Sequence, residues 1–147
     1  MADVREQILA RLVAVCKTVR GFAIVLRNQV EISDSQLPAL VIFDADEEAD
    51  ARDPVSRPAN APRRVTMRPE IRILSAGPPE EVGTTINLYR TRLVKAVLTD
   101  ATLLGLTAEN VSIRYDGAAT QLKVGRSMQG DMLCAFSISY YLKPSDL

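Results

Sequence analysis

Apolar residues recur along the first part of the chain at three- and four-residue intervals: Val4, Ile8, Leu12, Val15 and Val19, flanked by Leu9, Val13 and Cys16. Arg5, Glu6, Arg11 and Lys17 lie mostly off that stripe. The spacing predicts an amphipathic helix to about Thr18, with Asp3 as its N-cap and Glu6 completing a capping-box-like start. Gly21 closes the helical region. Phe22 to Leu26 is then a continuous apolar run that reads as a buried strand. Asn28 to Ser35 is a polar connection, and Pro38 opens a second strand, Ala39 to Phe43.

Alternation with period two begins at about Arg64 and runs to Leu74. Val65, Met67, Ile71 and Ile73 share one side; Arg64, Thr66, Arg68, Glu70 and Arg72 share the other. Pro69 interrupts the apolar row and cannot donate to a ladder, which places this strand at an edge or bulges it there. Gly77, Pro78 and Pro79 break the pattern and lead into a second helix, with a proline in its first turn and Glu80 and Glu81 at the positive end of its dipole. Its inner face is Val82, Ile86, Tyr89, Leu93 and Val97. From Asn110 the period returns to two: Val111, Ile113 and Tyr115 alternate with Ser112, Arg114 and Asp116, and Gly117 marks a break or bulge. Gly125 and Gly130 bracket the turn into the last strand. There Met132, Cys134, Phe136, Ile138, Tyr140 and Leu142 share a face, opposite Leu133, Ala135, Ser137, Ser139 and Tyr141. The small residues of that second face either let a helix sit close or pack against a neighbouring subunit.

The predicted order is α-β-β-β-α-β-β, an α+β fold with a mixed or antiparallel sheet and two helices packed on one face. The predicted core comprises Ile8, Leu12, Val25, Val41, Ile71, Ile73, Ile86, Leu93, Phe136 and Ile138. No repeat or linker divides the 147 residues, so they are expected to form one domain.

A long charged stretch, about 45–62, interrupts this pattern. Asp44, Asp46, Glu47, Glu48, Asp50 and Asp53 crowd its first half; Arg57, Arg63, Arg64, Arg68 and Arg72 follow in its second half and in the strand beyond. Pro54, Pro58 and Pro62 with no apolar run predict a loop, poorly ordered in the free protein. Lysine plus arginine and aspartate plus glutamate both total 18, so the separation of sign is local. Either these charges form solvated faces or they make a protein–protein contact. The second reading names Asp46, Glu47, Glu48, Asp50, Arg57, Arg63, Arg64, Arg68 and Arg72 as interface residues.

Composition removes much chemistry. The chain has no histidine and two cysteines, Cys16 and Cys134, each on a predicted apolar face. No nucleophilic triad or zinc site assembles in a usual form from that inventory. The cysteines read as buried thiols, with a disulfide as the alternative. The acidic run lacks the central glycine and twelfth-position acid of a calcium loop. No glycine pattern for a nucleotide is present, and the arginine row has no aromatic partners for nucleic acid. No cofactor is expected. The first residues lack the apolar run of a signal peptide, and no stretch approaches the roughly 20 apolar residues of a membrane span. A soluble protein made in the cytoplasm is the expectation.

In length and element order the chain resembles the tail terminator (tail completion) proteins of long-tailed bacteriophages and related prophages. The resemblance rests on the opening helix VREQILARLVAVC, the strand in LPALVIFDADEE, the proline-rich loop running into RRVTMRPEIRIL, and the closing strand MLCAFSISYYL. It implies a viral structural protein with no catalytic residues, forming a homo-hexameric ring on the last ring of the tail tube. Such a ring stops tube polymerisation and presents a surface to the head-side connector (stopper) protein. Genomic DNA passes through it without sequence-specific binding, and the expected location is the head-proximal end of the tail in the virion. Another component of the neck or minor tail, or a small non-catalytic bacterial binding module, is the alternative.

Overall fold

The computed structural model describes residues 3–54, 56–123 and 128–147. Helix α1 spans Val4–Thr18, and the Asp3 side chain caps it by accepting from the Arg5 amide at 3.1 Å. Glu6 does not close a capping box. Its carboxylate turns to Arg27, 2.8 Å away, because a guanidinium offers two charge-assisted bonds where the cap offers one. Strand β1 is Ile24–Arg27, later than the apolar run suggested, and is followed by a 3-10 turn at Asp34–Gln36 at the end of the polar connection. Strand β2 is Ala39–Phe43, and β3 is a short strand, Glu47–Ala49. The charged stretch is therefore not wholly loop.

The alternating segment is two strands, β4 at Arg63–Met67 and β5 at Glu70–Gly77. Helix α2 spans Pro79–Thr99, and a short α3, Ala101–Leu104, is capped by Asp100 accepting from Leu103 N. Strands β6, Ile113–Lys123, and β7, Met128–Leu142, complete the order. The fold is mixed α+β, with α1 and α2 on one face of a seven-stranded sheet.

The sheet is organised on β7. Its C-terminal half pairs with β4 and its N-terminal half with β5, in one unbroken antiparallel register from Arg63↔Leu142 to Gly77↔Met128. Strands β4 and β5 are thus one central rib interrupted at Arg68–Pro69, and the rib is neither at a sheet edge nor bulged at Pro69 as the sequence suggested. Pro69 has no amide to donate, yet its carbonyl accepts from Phe136 N at 3.1 Å, so the rib keeps its place. On the rib's other side β2 pairs with β5 and β3 with β4. Between Phe43↔Glu70 and Glu47↔Met67 the β2–β3 side carries one extra residue, a bulge where Ala45 takes φ 54°. Parallel pairing with β1 ends the sheet on that side; β6, antiparallel to β7, ends it on the other, with the bulge at Gly117 (φ 133°) that the sequence predicted.

The main core lies between helices and sheet. Ile8, Leu9, Leu12, Ile86, Leu93 and Val97 meet Leu40, Ile42, Ile71, Ile73, Phe136 and Ile138. Val41 is buried but on the opposite face, in a second cluster with Ala39 and Leu74 over which Ile32 and Leu37 pack. Val25 is only half-buried, because β1 is an edge strand. Helix α2 comes close to the sheet at Gly130. That glycine lies within β7 rather than in the preceding turn, and a Cβ there would stand 3.1 Å from both Val82 and Ile86. Gly125 lies outside the described residues. Ala135, Ser137 and Ser139 point away from the helices, so their small size does not serve helix packing. No helix among the described residues is long and apolar enough to cross a membrane.

Candidate functional site

Strand alternation divides the charged stretch between the two faces of the sheet. Glu47 pairs in register with Met67 and faces the helix side. There it accepts from the Tyr140 hydroxyl at 3.0 Å and stands 3.4 Å from Arg5 Nε. Glu48 pairs with Thr66, faces the open side, and meets Arg68 at 3.4 Å. The acidic run is consequently not one patch. Asp44 binds Arg27 at 2.8 Å, and Asp50 binds Arg52 at 3.2 Å. Asp53 holds both Arg63 (3.2 Å) and Arg57 (3.8 Å). Asp46 has an exposed side chain, while its carbonyl accepts from Arg68 N at 2.9 Å. Three pairings between the acidic and basic halves are thus made inside one subunit.

The arginine row is divided as well. Arg72 donates through Nε and Nη2 to Asp131 at 3.0 and 2.7 Å and through Nη1 to the Val30 carbonyl, so it works inside the fold. Its pKa is raised, the Asp131 hydrogen bond being the main cause. Arg64 and Arg68 remain on the uncovered part of the sheet.

That uncovered part is the candidate site. Thr66 and Ser139, neighbours on β4 and β7, share a 2.8 Å hydroxyl–hydroxyl bond at its centre. Two shallow hollows of about 300 and 310 Å³ meet over this pair, and both are lined by Arg64, Thr66, Arg68 and Ser139. One extends to Glu48, Asp50 and Arg52, the other to Val111, Arg114 and Ser137. Arg64 reaches Glu109 at 3.0 Å, and the Tyr141 hydroxyl donates to the same carboxylate. That hydroxyl first, and Arg64 with it, holds Glu109 below its ordinary pKa. Arg114 binds Asp116 at 2.7 Å, and Ser137 donates to the other carboxylate oxygen.

The face is therefore broad, polar and pre-paired, and its charges alternate in sign. It offers exchangeable ion pairs rather than a concave pocket. Its rim is the free side of β6, which pairs only with β7 and leaves the outer backbone groups of an 11-residue strand without a strand partner among the described residues. Sequence reading missed Glu109, Arg114, Asp116 and the Thr66–Ser139 pair. The alternation Arg114, Asp116 and Ser137, Ser139 was visible, but nothing in it says which strands become neighbours.

Other reactive groups are withdrawn from the surface. Cys16 and Cys134 are buried free thiols, and burial pushes them up to about 12 and about 11. Among the described residues no three His, Cys, Asp or Glu side chains cluster as a metal site would require. The chain matches no protein-family model, and no characterised protein is detectably similar to it in sequence.

Proposed function

We propose that this protein is a ring-forming structural subunit of a bacteriophage tail, a tail terminator that caps the tail tube and meets the head-side connector. The reading starts from the sequence resemblance, and the single observation that supports it is the sheet's unequal ends. One end is the long strand β6, paired on one side only among the described residues; the other is made of the short strands β1 and β3. A subunit whose two edges differ is suited to head-to-tail contacts, which close into a ring when the rotation permits. Beside β6 lies the open face with Arg64, Arg68, Arg114 and their acids, whose exposed pairs can exchange partners across a contact. Exposed pairs contribute only about 0–1 kcal/mol each, so their role is register and the backbone edge supplies affinity.

The test uses the protein with a phage tail-tube protein. Added to polymerising tube subunits, it should stop growth and be seen by electron microscopy as a six-fold ring at one tube end. Tubes that grow to unchanged lengths with nothing at either end would sink the reading.

A further inference from the structure

The helix layer distributes its charge differently from the sheet. Helix α2 carries Glu80 and Glu81 in its first turn, then no acid before Asp100, while Arg90, Arg92 and Lys95 fill its second half. Glu80, Glu81 and Lys95 make no ion pair among the described residues. Midway stands Leu88, 48% exposed although large and apolar, while Val82, Ile86, Leu93 and Val97 turn to the core. Glu81 and Lys95 lie seven residues before and after Leu88, and Thr84 and Arg92 lie four before and after. At helical spacing these five share one outward stripe, exposed throughout except at half-buried Arg92.

We propose that this stripe is a contact for a second copy of the chain, laid antiparallel about a two-fold axis through Leu88. An isologous contact sets residue i against j and j against i, which requires a surface complementary to itself. The stripe meets that requirement. Leu88 packs on its own copy, and about 10 Å to either side, at 1.5 Å per residue, Glu81 faces Lys95 of the partner subunit. Glu80 falls opposite Ala96 of the partner subunit, in a groove of about 280 Å³ lined by Val19, Arg20, Arg92, Lys95 and Ala96. Both unpaired acids thereby find cations. A foreign acidic segment would satisfy the cations but leave Glu80 and Glu81 facing like charge. The contact is independent of the ring reading, since it uses the helix side and leaves β6 and the open face free.

The experiment takes the full chain with Leu88→Cys and oxidises it with diamide. A disulfide-linked dimer is expected, since Cys16 and Cys134 are buried and do not compete; a chain that stays monomeric overturns the proposal. In parallel, sedimentation over a concentration series should show Lys95→Glu and Glu81→Lys each weakening the dimer at least about tenfold, because like charges then meet. The double variant should return to wild-type affinity. A double variant as weak as the singles overturns the two-fold register, and a wild-type chain that stays monomeric across the series overturns the second-copy contact in favour of a foreign partner. Thermal melts of each variant confirm folding. Six-fold mass and tube capping read the ring separately, so either idea can fail alone.

Discussion

The side of the sheet away from the helices is two surfaces, divided along the rib β4–β5. Around β1, β2 and the far end of β5 the outward residues are Ala39, Val41 and Leu74, and the chain from 28 to 38 lays Ile32 and Leu37 across them. Around β4, β7 and β6 the outward residues are Arg64, Thr66, Arg68, Ser137 and Ser139; of these Ser137, bonded to Asp116, is buried, and the other four line open hollows. Cover and composition change together along one rib, β4–β5. Where a segment excludes water the positions are apolar; where it does not, hydroxyls and charges satisfy one another in place. The open half is thus built to remain wet or to meet a polar surface, and it contributes little to holding the monomer together.

The largest effect should separate the layers. Leu93→Ala, in the fully buried helix-side core, is expected to cost about 2–5 kcal/mol in denaturant unfolding. Leu74→Ala, under the 28–38 segment, should fall near the low end, about 2 kcal/mol, and Ser139→Ala on the open half below about 1 kcal/mol. A Leu74 variant as stable as wild type would show that the segment is no real cover. Next comes Gly130→Val, which forces a branched side chain against Val82 and Ile86 and should destabilise by about 1–3 kcal/mol. An unchanged melting profile would mean that α2 rides higher on the sheet than its position indicates.

The two halves of the arginine row give a third contrast. Arg72→Glu would place a carboxylate against Asp131 in a largely enclosed pair and should cost at least about 1 kcal/mol. Arg68→Glu, whose partner Glu48 is well exposed, should change stability by less than about 0.5 kcal/mol while disturbing ring assembly. Equal losses in both would erase the distinction between covered and open halves. The smallest effect concerns acid. Hydrogen bonds from Arg27 and Arg11 hold Asp44 and Asp100 below their ordinary 3.8. Carboxylates with depressed folded values stabilise fully above the ordinary value and lose that contribution as pH falls through the lowered one. Stability should therefore decline below about pH 4, and Arg11→Ala should flatten that decline. An unchanged acid limb in Arg11→Ala would deny Asp100 a part in it.

Local pattern carried the elements well wherever one face alone is buried. Helices α1 and α2 and the inner face of β7 follow from periodicity, because each meets the core along a single stripe; β2, buried on both faces, follows instead from its unbroken apolar run after Pro38, and the Gly117 bulge from its glycine. What periodicity could not supply was neighbour identity. Pro69 reads as an edge signal, yet it sits in the central rib, because β7 and the β2–β3 side continue past it. Glu47 and Glu48 read as one acidic patch until β3 is seen to be a strand, which sends them to opposite faces. Three residues of strand inside a polar, proline-rich stretch have no hydrophobic signature; only pairing with β4 makes them regular.

β7 also sets the order in which the sheet can be completed. It is the shared neighbour of β4, β5 and β6, and all three precede it in the chain. During synthesis, which runs from the N-terminus, Ile71 and Ile73 wait with one flank of their strand unpaired until Met132 and Cys134 emerge. The pairing of Arg63 with Leu142 closes one of the longest loops in the molecule. Such distant contacts are slow to form and leave strand edges open meanwhile. The hazard of aggregation belongs to the half-made chain, and it ends when the spine arrives.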